Sequence, residues 1–286
     1  MEALLFRAII LGAIYTLASI GLSLQWGVLR NLNFSHGASI TFGAYIMWAA
    51  LSAGNLSYPL AFLIMLVSTF LLGVLIEYVS IRPFFGKQEV NIFIGTVALS
   101  TVLSQLYFLV FGGREKVLKT AIEGDVQLGA MRASYHEIFI LLISIATLIA
   151  MWLILTKTRT GLSIRAVAQD QLGSVLVGIN TKRVYSITLG VATALAGIAG
   201  VLLAPILFVS PDMGELPMIK AFVIVILGGI GSFRGTVVAA FIVALVEVFV
   251  GAFIGVLWAP LSLFVLMVVI LVLKPEGLFG ASARRA

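Results

Sequence analysis

Residues 157–183 read KTRTGLSIRAVAQDQLGSVLVGINTKR, and this polar stretch separates two long apolar segments. It contains five basic residues and one acidic residue, whereas its neighbours at 138–156 and 184–209 contain no charged residue. Basic residues concentrate in the cytoplasmic loops of membrane proteins, so the stretch is predicted to lie in the cytoplasm. The spacing of its apolar residues predicts one or two short amphipathic helices.

Composition indicates an all-α polytopic membrane protein. The chain has 286 residues, of which 61% are hydrophobic and 10% charged, and its mean hydropathy is +1.17. Soluble domains are about 25% charged, so this departure is too large for a soluble core. The net charge of +6 fits basic cytoplasmic loops, and no basic cluster accompanies a nucleic-acid-binding fold. The absence of cysteine excludes disulfides and cysteine-based metal sites.

Nine apolar runs predict a single bundle of eight to ten transmembrane helices that spans residues 1–286. The first run is interpreted as a retained span rather than a signal peptide. The run at 218–231 is short and ends in a cluster of glycines at 228–235, which predicts a broken helix, a re-entrant segment or a tight turn. The runs are 3–28, 35–53, 58–81, 90–111, 138–156, 184–209, 218–231, 235–254 and 256–273.

The distribution of lysine and arginine predicts the orientation of the bundle. It places Arg30, the 157–183 loop, Arg234 and the basic tail from Lys274 to Arg285 in the cytoplasm. The N-terminus and the loop at 112–137 then face the outside. The C-terminus is accordingly predicted to be cytoplasmic.

The sequence lacks the motifs of several enzyme classes. It contains no G-x-x-x-x-G-K-[ST] phosphate-binding loop, no H-E-x-x-H zinc motif and no serine nucleophile elbow. The chain is therefore not expected to bind and hydrolyse ATP through a phosphate-binding loop, and no catalytic or metal site is predicted.

The apolar runs contain four charged residues, Arg7, Glu77, Lys220 and Glu247, and charge is unfavourable there. Glu247 lies in the middle of its run and is interpreted either as a pathway-lining, proton-linked group or as a structural glutamate hydrogen-bonded between helices. Glu77 is close to Arg82, which favours a local ion pair. Lys220 begins its run and is interpreted as an anchor at the membrane edge.

Two interpretations of the 157–183 segment remain open from periodicity alone. The segment could form a surface helix whose basic residues face lipid headgroups. It could instead form a docking helix for a cytosolic subunit. Both interpretations require an amphipathic helix, so spacing does not separate them.

Five motifs, taken in order, resemble one known family. The chain is similar to the inner-membrane permeases of branched-chain amino acid ABC importers, and the likeness covers nearly its whole length. The loop at 112–137 matches this pattern least. The motifs are GLSLQWGVLRNLNFSHGASITFGAYI (21–46), RTGLSIRAVAQDQLGSVLVGIN (159–180), AGIAGVLLAP (196–205), KAFVIVILGGIGSFRGTVVAAFIVALVE (220–247) and KPEGLFG (274–280).

The resemblance implies a multi-pass subunit of a bacterial inner membrane that works with several partners. These are a second related permease in a heterodimer, two cytosolic ATPase subunits that bind ATP and Mg²⁺, and a periplasmic substrate-binding protein. This chain itself would carry no cofactor. The coupling segment would include Arg159, Gly161, Arg165, Ala166, Asp170 and Gly178, and the candidate pathway-lining residues are Asn33, Ser35, His36, Ser232 and Glu247.

Alternative functions remain open at this point. Related systems import urea, short amides or other amino acids, and the resemblance does not separate them from importers of leucine, isoleucine and valine. A secondary transporter that uses Glu247 for proton coupling is a different class of protein. A non-catalytic membrane scaffold or channel is a third.

Overall fold

The computed structural model describes residues 1–120, 122, 124–128 and 131–280. All nine apolar runs form helices, and two further helices lie within the 157–183 segment. A π-helical turn, Glu77–Ile81, and a 3-10 turn, Arg82–Phe84, extend the third helix. The helices are α1 (Glu2–Leu29), α2 (His36–Ser52), α3 (Tyr58–Ile76), α4 (Glu89–Phe111), α5 (Tyr135–Lys157), α6 (Arg159–Gln169), α7 (Gln171–Leu176), α8 (Thr181–Leu207), α9 (Glu215–Gly228), α10 (Phe233–Phe253) and α11 (Trp258–Leu273).

A short hairpin precedes α5. Strands β1 (Asp125–Leu128) and β2 (Met131–Ser134) pair antiparallel. Ser134 then caps α5 in a capping box with Glu137, which satisfies backbone amides at the helix start. The hairpin therefore leads the chain directly into its fifth helix.

Helix α8 forms the centre of the bundle, because small residues along it let neighbouring helices approach closely. Ala192, Ala196, Gly200 and Ala204 recur every four residues, and all four are buried. A Cβ atom added to Gly200 would collide with the backbone of Ile40 in α2. The small residues of α8 thus allow α2 to approach it closely.

Helices α1 and α10 pack antiparallel against each other, and α1 also packs against α8. Tyr15 of α1 contacts Glu247 near the end of α10, and Gly27 lies against Gly231 just before α10 begins. In contrast, only 17% of the most apolar 18-residue stretch of α4 is buried, and the buried share in α5 is also 17%. The corresponding share in α8 is 83%. The outer faces of α4 and α5 are thus open to lipid or to another subunit.

Six helical segments are long and apolar enough to cross a bilayer among the residues that the structure describes. Helices α2, α9 and α11 are shorter, with 17, 14 and 16 residues. The predicted range of eight to ten spans therefore requires at least two of these three helices to cross as well. The six segments are Glu2–Leu29, Tyr58–Phe84, Glu89–Phe111, Tyr135–Lys157, Thr181–Leu207 and Phe233–Phe253.

Helix α9 is short because it begins inside the bundle. Its 14 residues rise about 21 Å at 1.5 Å per residue, which is less than the ~30 Å of a hydrocarbon core. The chain between α8 and α9 is non-helical and buried at Gly214, whose amide donates to Thr41 Oγ1 at 3.0 Å. The chain thus enters the bundle as irregular backbone and becomes helical only at Glu215, where α9 begins.

The glycine cluster at 228–235 forms a tight turn rather than a broken helix. Gly229 and Gly231 have φ of 95° and 74°, a left-handed region that glycine adopts readily. Ser232 then caps α10, because its Oγ accepts from the Gly235 amide at 3.1 Å. Of the interpretations that the sequence left open, the structure supports the tight turn.

The KPEGLFG segment folds back onto the C-terminal end of α9. The amides of Leu278 and Phe279 donate to the carbonyls of Leu227 and Gly228 at 2.7 and 3.1 Å. The last carbonyls of a helix have no partner within the helix, so this segment satisfies them from outside. Residues 281–286, which include the two arginines of the predicted cytoplasmic tail, lie outside the described residues.

Candidate functional site

Helix α6 is attached to the bundle through one face. Gly161, Ile164 and Val167 are buried at intervals of three residues, as expected for one side of a helix. Arg159 and Arg165, both predicted coupling residues, are exposed. The predicted amphipathic helix is therefore present, and its basic residues remain available to a surface outside the bundle.

Gly161 permits a sharp corner between α5 and α6. Its amide donates to Thr158 Oγ1 at 3.0 Å, which caps α6. A Cβ atom added to Gly161 would lie 2.6 Å from the Cα of Leu155, and it would also collide with the carbonyl of Ile154. Because these obstacles are backbone atoms, a larger residue would push α6 away from α5.

Asp170 joins α6 to α7. Its amide donates to the carbonyl of Ala166 at 3.0 Å, which ends α6, and its Oδ1 accepts from the amide of Gly173 at 3.0 Å, which begins α7. Gly178 follows α7 with φ of 84° and turns the chain toward α8. The predicted coupling residues thus build two short helices that are joined at Asp170, the α6–α7 unit (159–178).

Helix α7 exposes an apolar surface, the α7 patch, which comprises Leu172, Val175, Leu176 and Val177. These side chains are 79%, 53%, 87% and 76% exposed. Exposed apolar residues that are contiguous mark protein or membrane interaction sites more often than isolated ones do. The α7 patch is therefore the most prominent candidate contact surface of the segment.

Helix α6 also reaches the turn between α9 and α10. A cavity of about 200 Å³ lies between them, and its lining includes Arg165, Gly27, Gly231 and Phe233. The α6–α7 unit and the α9–α10 turn consequently lie at the same end of the bundle.

Three of the candidate pathway residues form a buried hydrogen-bond network where α1 meets α2. The Oδ1 of Asn33 accepts from the amide and hydroxyl of Ser35 at 3.0 and 2.5 Å, and its Nδ2 donates to Gln25 Oε1 at 2.8 Å. Gln25 Nε2 lies 2.9 Å from His36 Nδ1, and His36 Nε2 lies 2.9 Å from the carbonyl of Ala18. All four side chains are at most 3% exposed.

The direction of this network is fixed at both ends by backbone groups. The Ser35 amide can only donate, which orients Asn33 and in turn Gln25. The carbonyl of Ala18 can only accept, so His36 carries its proton on Nε2 and its Nδ1 accepts from Gln25. The imidazole is thus neutral and fully hydrogen-bonded.

Replacing His36 by alanine is expected to destabilise the protein by about 3 kcal/mol, because it leaves the buried Nε2 group of Gln25 without an acceptor and creates a void. The measurement is the midpoint of thermal unfolding of the purified protein in detergent. Ser39→Ala is the matched control, since the Ser39 hydroxyl only bonds back to the Ser35 carbonyl in its own helix. Equal shifts for the two variants would contradict a structural role of the network.

Glu247 is part of a second cluster that joins α1, α9 and α10. Lys220 Nζ contacts Glu247 Oε1 at 2.6 Å and the hydroxyl of Tyr15 at 2.8 Å, and this hydroxyl donates to Glu247 Oε2 at 3.0 Å. The side chains of Lys220 and Glu247 are each 17% exposed. The interpretation of Lys220 as a membrane-edge anchor is therefore wrong: the ammonium points into the bundle because a carboxylate there compensates its charge.

The structure distributes the five candidate pathway residues over three places. Asn33, Ser35 and His36 lie together in the buried network, and within the described residues they line none of the larger cavities. Ser232 caps α10 at the end near α6, and Glu247 lies four turns further along the same helix. Their role in a pathway stays a prediction.

Sequence reasoning missed the partners in both clusters. Gln25 is a lone amide in an apolar run, and Tyr15 gives no signal because tyrosine is common in such runs. Lys220 could have been found as the second charge opposite Glu247. The predicted local pair of Glu77 is confirmed, since Arg82 contacts its carboxylate at 2.8 Å.

These observations together define a class. The protein is a multi-spanning α-helical membrane protein with the α6–α7 unit at one end of its bundle. It has a central helix rich in small residues and ionisable side chains inside the bundle.

Comparison with known proteins gives the family. The chain belongs to the family described as branched-chain amino acid transport system / permease component, whose profile matches residues 4–273. It is 29% identical to the high-affinity branched-chain amino acid transport system permease protein BraD of Pseudomonas aeruginosa, over 96% of this chain and 94% of BraD. It is 27% identical to the corresponding permease protein LivH of Escherichia coli K12, with the same coverage of each chain. The chain is thus a transport permease subunit and not an enzyme.

Proposed function

We propose that this chain forms part of the translocation pathway of an ATP-driven importer of branched-chain amino acids. The names of BraD and LivH support this substrate class. Since the sequence has no phosphate-binding loop, ATP and Mg²⁺ would bind to separate ATPase subunits. The chain itself would supply the pathway and the surface on which those subunits act.

The observation that carries the proposal is the exposed α7 patch. Helices that lie on lipid are rich in lysine and arginine on their polar face. Residues 171–181 contain no charged residue, although Leu172 and Leu176 in this range are 79% and 87% exposed. An exposed apolar surface on a helix that carries no charge of its own favours contact with a protein, and we assign the α6–α7 unit as the docking site for an ATPase subunit.

The remaining partners follow from the two ends of the bundle. Basic residues around α6 and α7 favour the cytoplasmic side of a bacterial inner membrane. The segment 274–280 packs on the end of α9 that is close to α6, which supports a cytoplasmic position for it as well. A substrate-binding protein would deliver amino acids at the opposite end, and the open faces of α4 and α5 offer area for a second permease.

The test is uptake of labelled leucine by proteoliposomes that contain this chain, its ATPases, its second permease and its binding protein. Uptake is expected to require ATP in the lumen of the liposomes, which corresponds to the cytoplasm. It is expected to persist when a protonophore removes the proton gradient. Uptake that needs the gradient but not ATP would instead identify a secondary transporter. Uptake of urea or a short amide in place of leucine would retain the class and change the substrate.

The arrangement around Glu247 bears on the secondary-transporter alternative. Both carboxylate oxygens of Glu247 are hydrogen-bonded, one to Lys220 and one to Tyr15. Both oxygens are thus engaged by side chains of the bundle, which favours a structural role of Glu247 over a proton-coupling one. This supports the ATP-driven alternative.

A further inference from the structure

A second cavity opens at the end of the bundle opposite the α6–α7 unit. It has a volume of about 510 Å³ and lies between the beginnings of α1, α5 and α11 and the ends of α8 and α10. Pockets for small molecules typically measure ~300–1,000 Å³. The cavity is therefore large enough for an amino acid, and it lies on the side where a binding protein would release one.

The lining of this cavity combines aliphatic walls with charges of both signs. Leu11, Ile206 and Val248 are among the aliphatic residues, and Arg7, Glu137 and Glu247 are the charged ones. None of its described lining residues is aromatic. Such a lining suits a compact aliphatic molecule with an anionic and a cationic group better than a planar base or sugar.

The three charged side chains are not equivalent. Both oxygens of Glu247 are engaged by Lys220 and Tyr15, so its charge is compensated within the bundle. Glu137 Oε2 accepts from the amide of Ser134 at 2.9 Å, which holds the carboxylate at the start of α5. Arg7 is exposed at the start of α1. The cavity thus presents a guanidinium and a positioned carboxylate, and the charge of Glu247, its third charged residue, is compensated.

We propose that this cavity binds the zwitterionic substrate on its entry into the pathway, an assignment that rests on the proposed function. Arg7 binds the α-carboxylate, because a guanidinium matches the two oxygens of a carboxylate in geometry and charge. Glu137 binds the α-ammonium, and the aliphatic walls surround the side chain. Glu247 is part of the wall, and it adds no net charge because Lys220 compensates it.

The test measures leucine transported per ATP hydrolysed by the complete complex in proteoliposomes. Arg7→Gln and Glu137→Gln are each expected to lower this ratio roughly 10-fold, the effect of losing one charged hydrogen bond. Glutamine at 137 can still form the capping box, so the start of α5 is kept. Arg114→Gln removes an exposed arginine from the loop that follows α4, and it is expected to leave the ratio unchanged.

Two results would overturn the assignment. The first is a ratio for Arg7→Gln equal to that for Arg114→Gln, in liposomes where the wild-type complex transports leucine. The second is an effect of Arg7→Gln that disappears in liposomes without phosphatidylethanolamine, because the cavity would then hold a zwitterionic lipid headgroup. Absence of ATP-driven leucine uptake by the wild-type complex would instead contradict the proposed function itself.

Discussion

Replacing Glu247 by alanine is expected to destabilise the protein by about 3 kcal/mol, because the ammonium of Lys220 would remain inside the bundle without a counter-charge. Both side chains are only 17% exposed, so water compensates little of this charge. The measurement is thermal unfolding of the purified protein in detergent. Glu2→Ala, which removes an exposed carboxylate at the start of α1, is the control and is expected to have no effect.

A double-mutant cycle separates the ion pair from the packing around it. Lys220→Met combined with Glu247→Met removes both charges and keeps apolar volume, and it is expected to recover most of the stability lost in Glu247→Ala. Tyr15→Phe should have an intermediate effect, since Lys220 and Glu247 still pair with each other. Additive effects of the two single methionine substitutions would show that the pair does not act as a unit.

The substitution Gly161→Ala is expected to lower co-purification of the ATPase subunits at least ~10-fold while the chain still inserts into the membrane, since the loss of well-packed interface contacts has effects of this size. The added Cβ collides with backbone atoms of α5, so α6 must rotate and carry α7 with it. The measurement is the amount of ATPase retained on the affinity-purified permease. Gly251→Ala is the matched control, because its added Cβ meets only Ala259 at 4.0 Å.

Substitutions of Asp170 separate the effect of the helix cap, which shapes the α6–α7 unit, from the effect of the aspartate charge. Asp170→Asn keeps a side-chain oxygen that caps α7, and it is expected to retain the ATPases. Asp170→Lys removes the cap and is expected to lose them. Full retention of the ATPases by both Gly161→Ala and Asp170→Lys would contradict the docking assignment.

The helical bundle could be predicted well from the sequence, because apolar runs of about 20 residues in a bilayer have few alternatives to helix. The structure has a helix at each of the nine runs. The starting depth of a helix could not be predicted in the same way. Helix α9 begins beside Thr41, which is more than 170 residues distant in sequence, and hydropathy contains no information on that contact.

The candidate site was predictable where its chemistry is local. Gly161, Asp170 and Gly178 act through hydrogen bonds, collisions or backbone angles within a few residues of themselves, and their motif indicates such a unit. The cluster of Lys220 and Glu247 with Tyr15 depends on three helices meeting at one depth. Periodicity identifies the face of each helix but not its partner, so the function of these ionisable residues could not be separated from a structural role.

The contact of the KPEGLFG segment with α9 has a consequence for biogenesis. When α9 leaves the ribosome, the carbonyls of Leu227 and Gly228 have no partner, because the amides of Leu278 and Phe279 are synthesised only after α10 and α11. Until then, water at this end of the bundle is expected to bond to these carbonyls, because the helix itself offers them no partner. The end of α9 would therefore reach its final structure only after α10 and α11 have been made, and the order of synthesis would not be the order of folding.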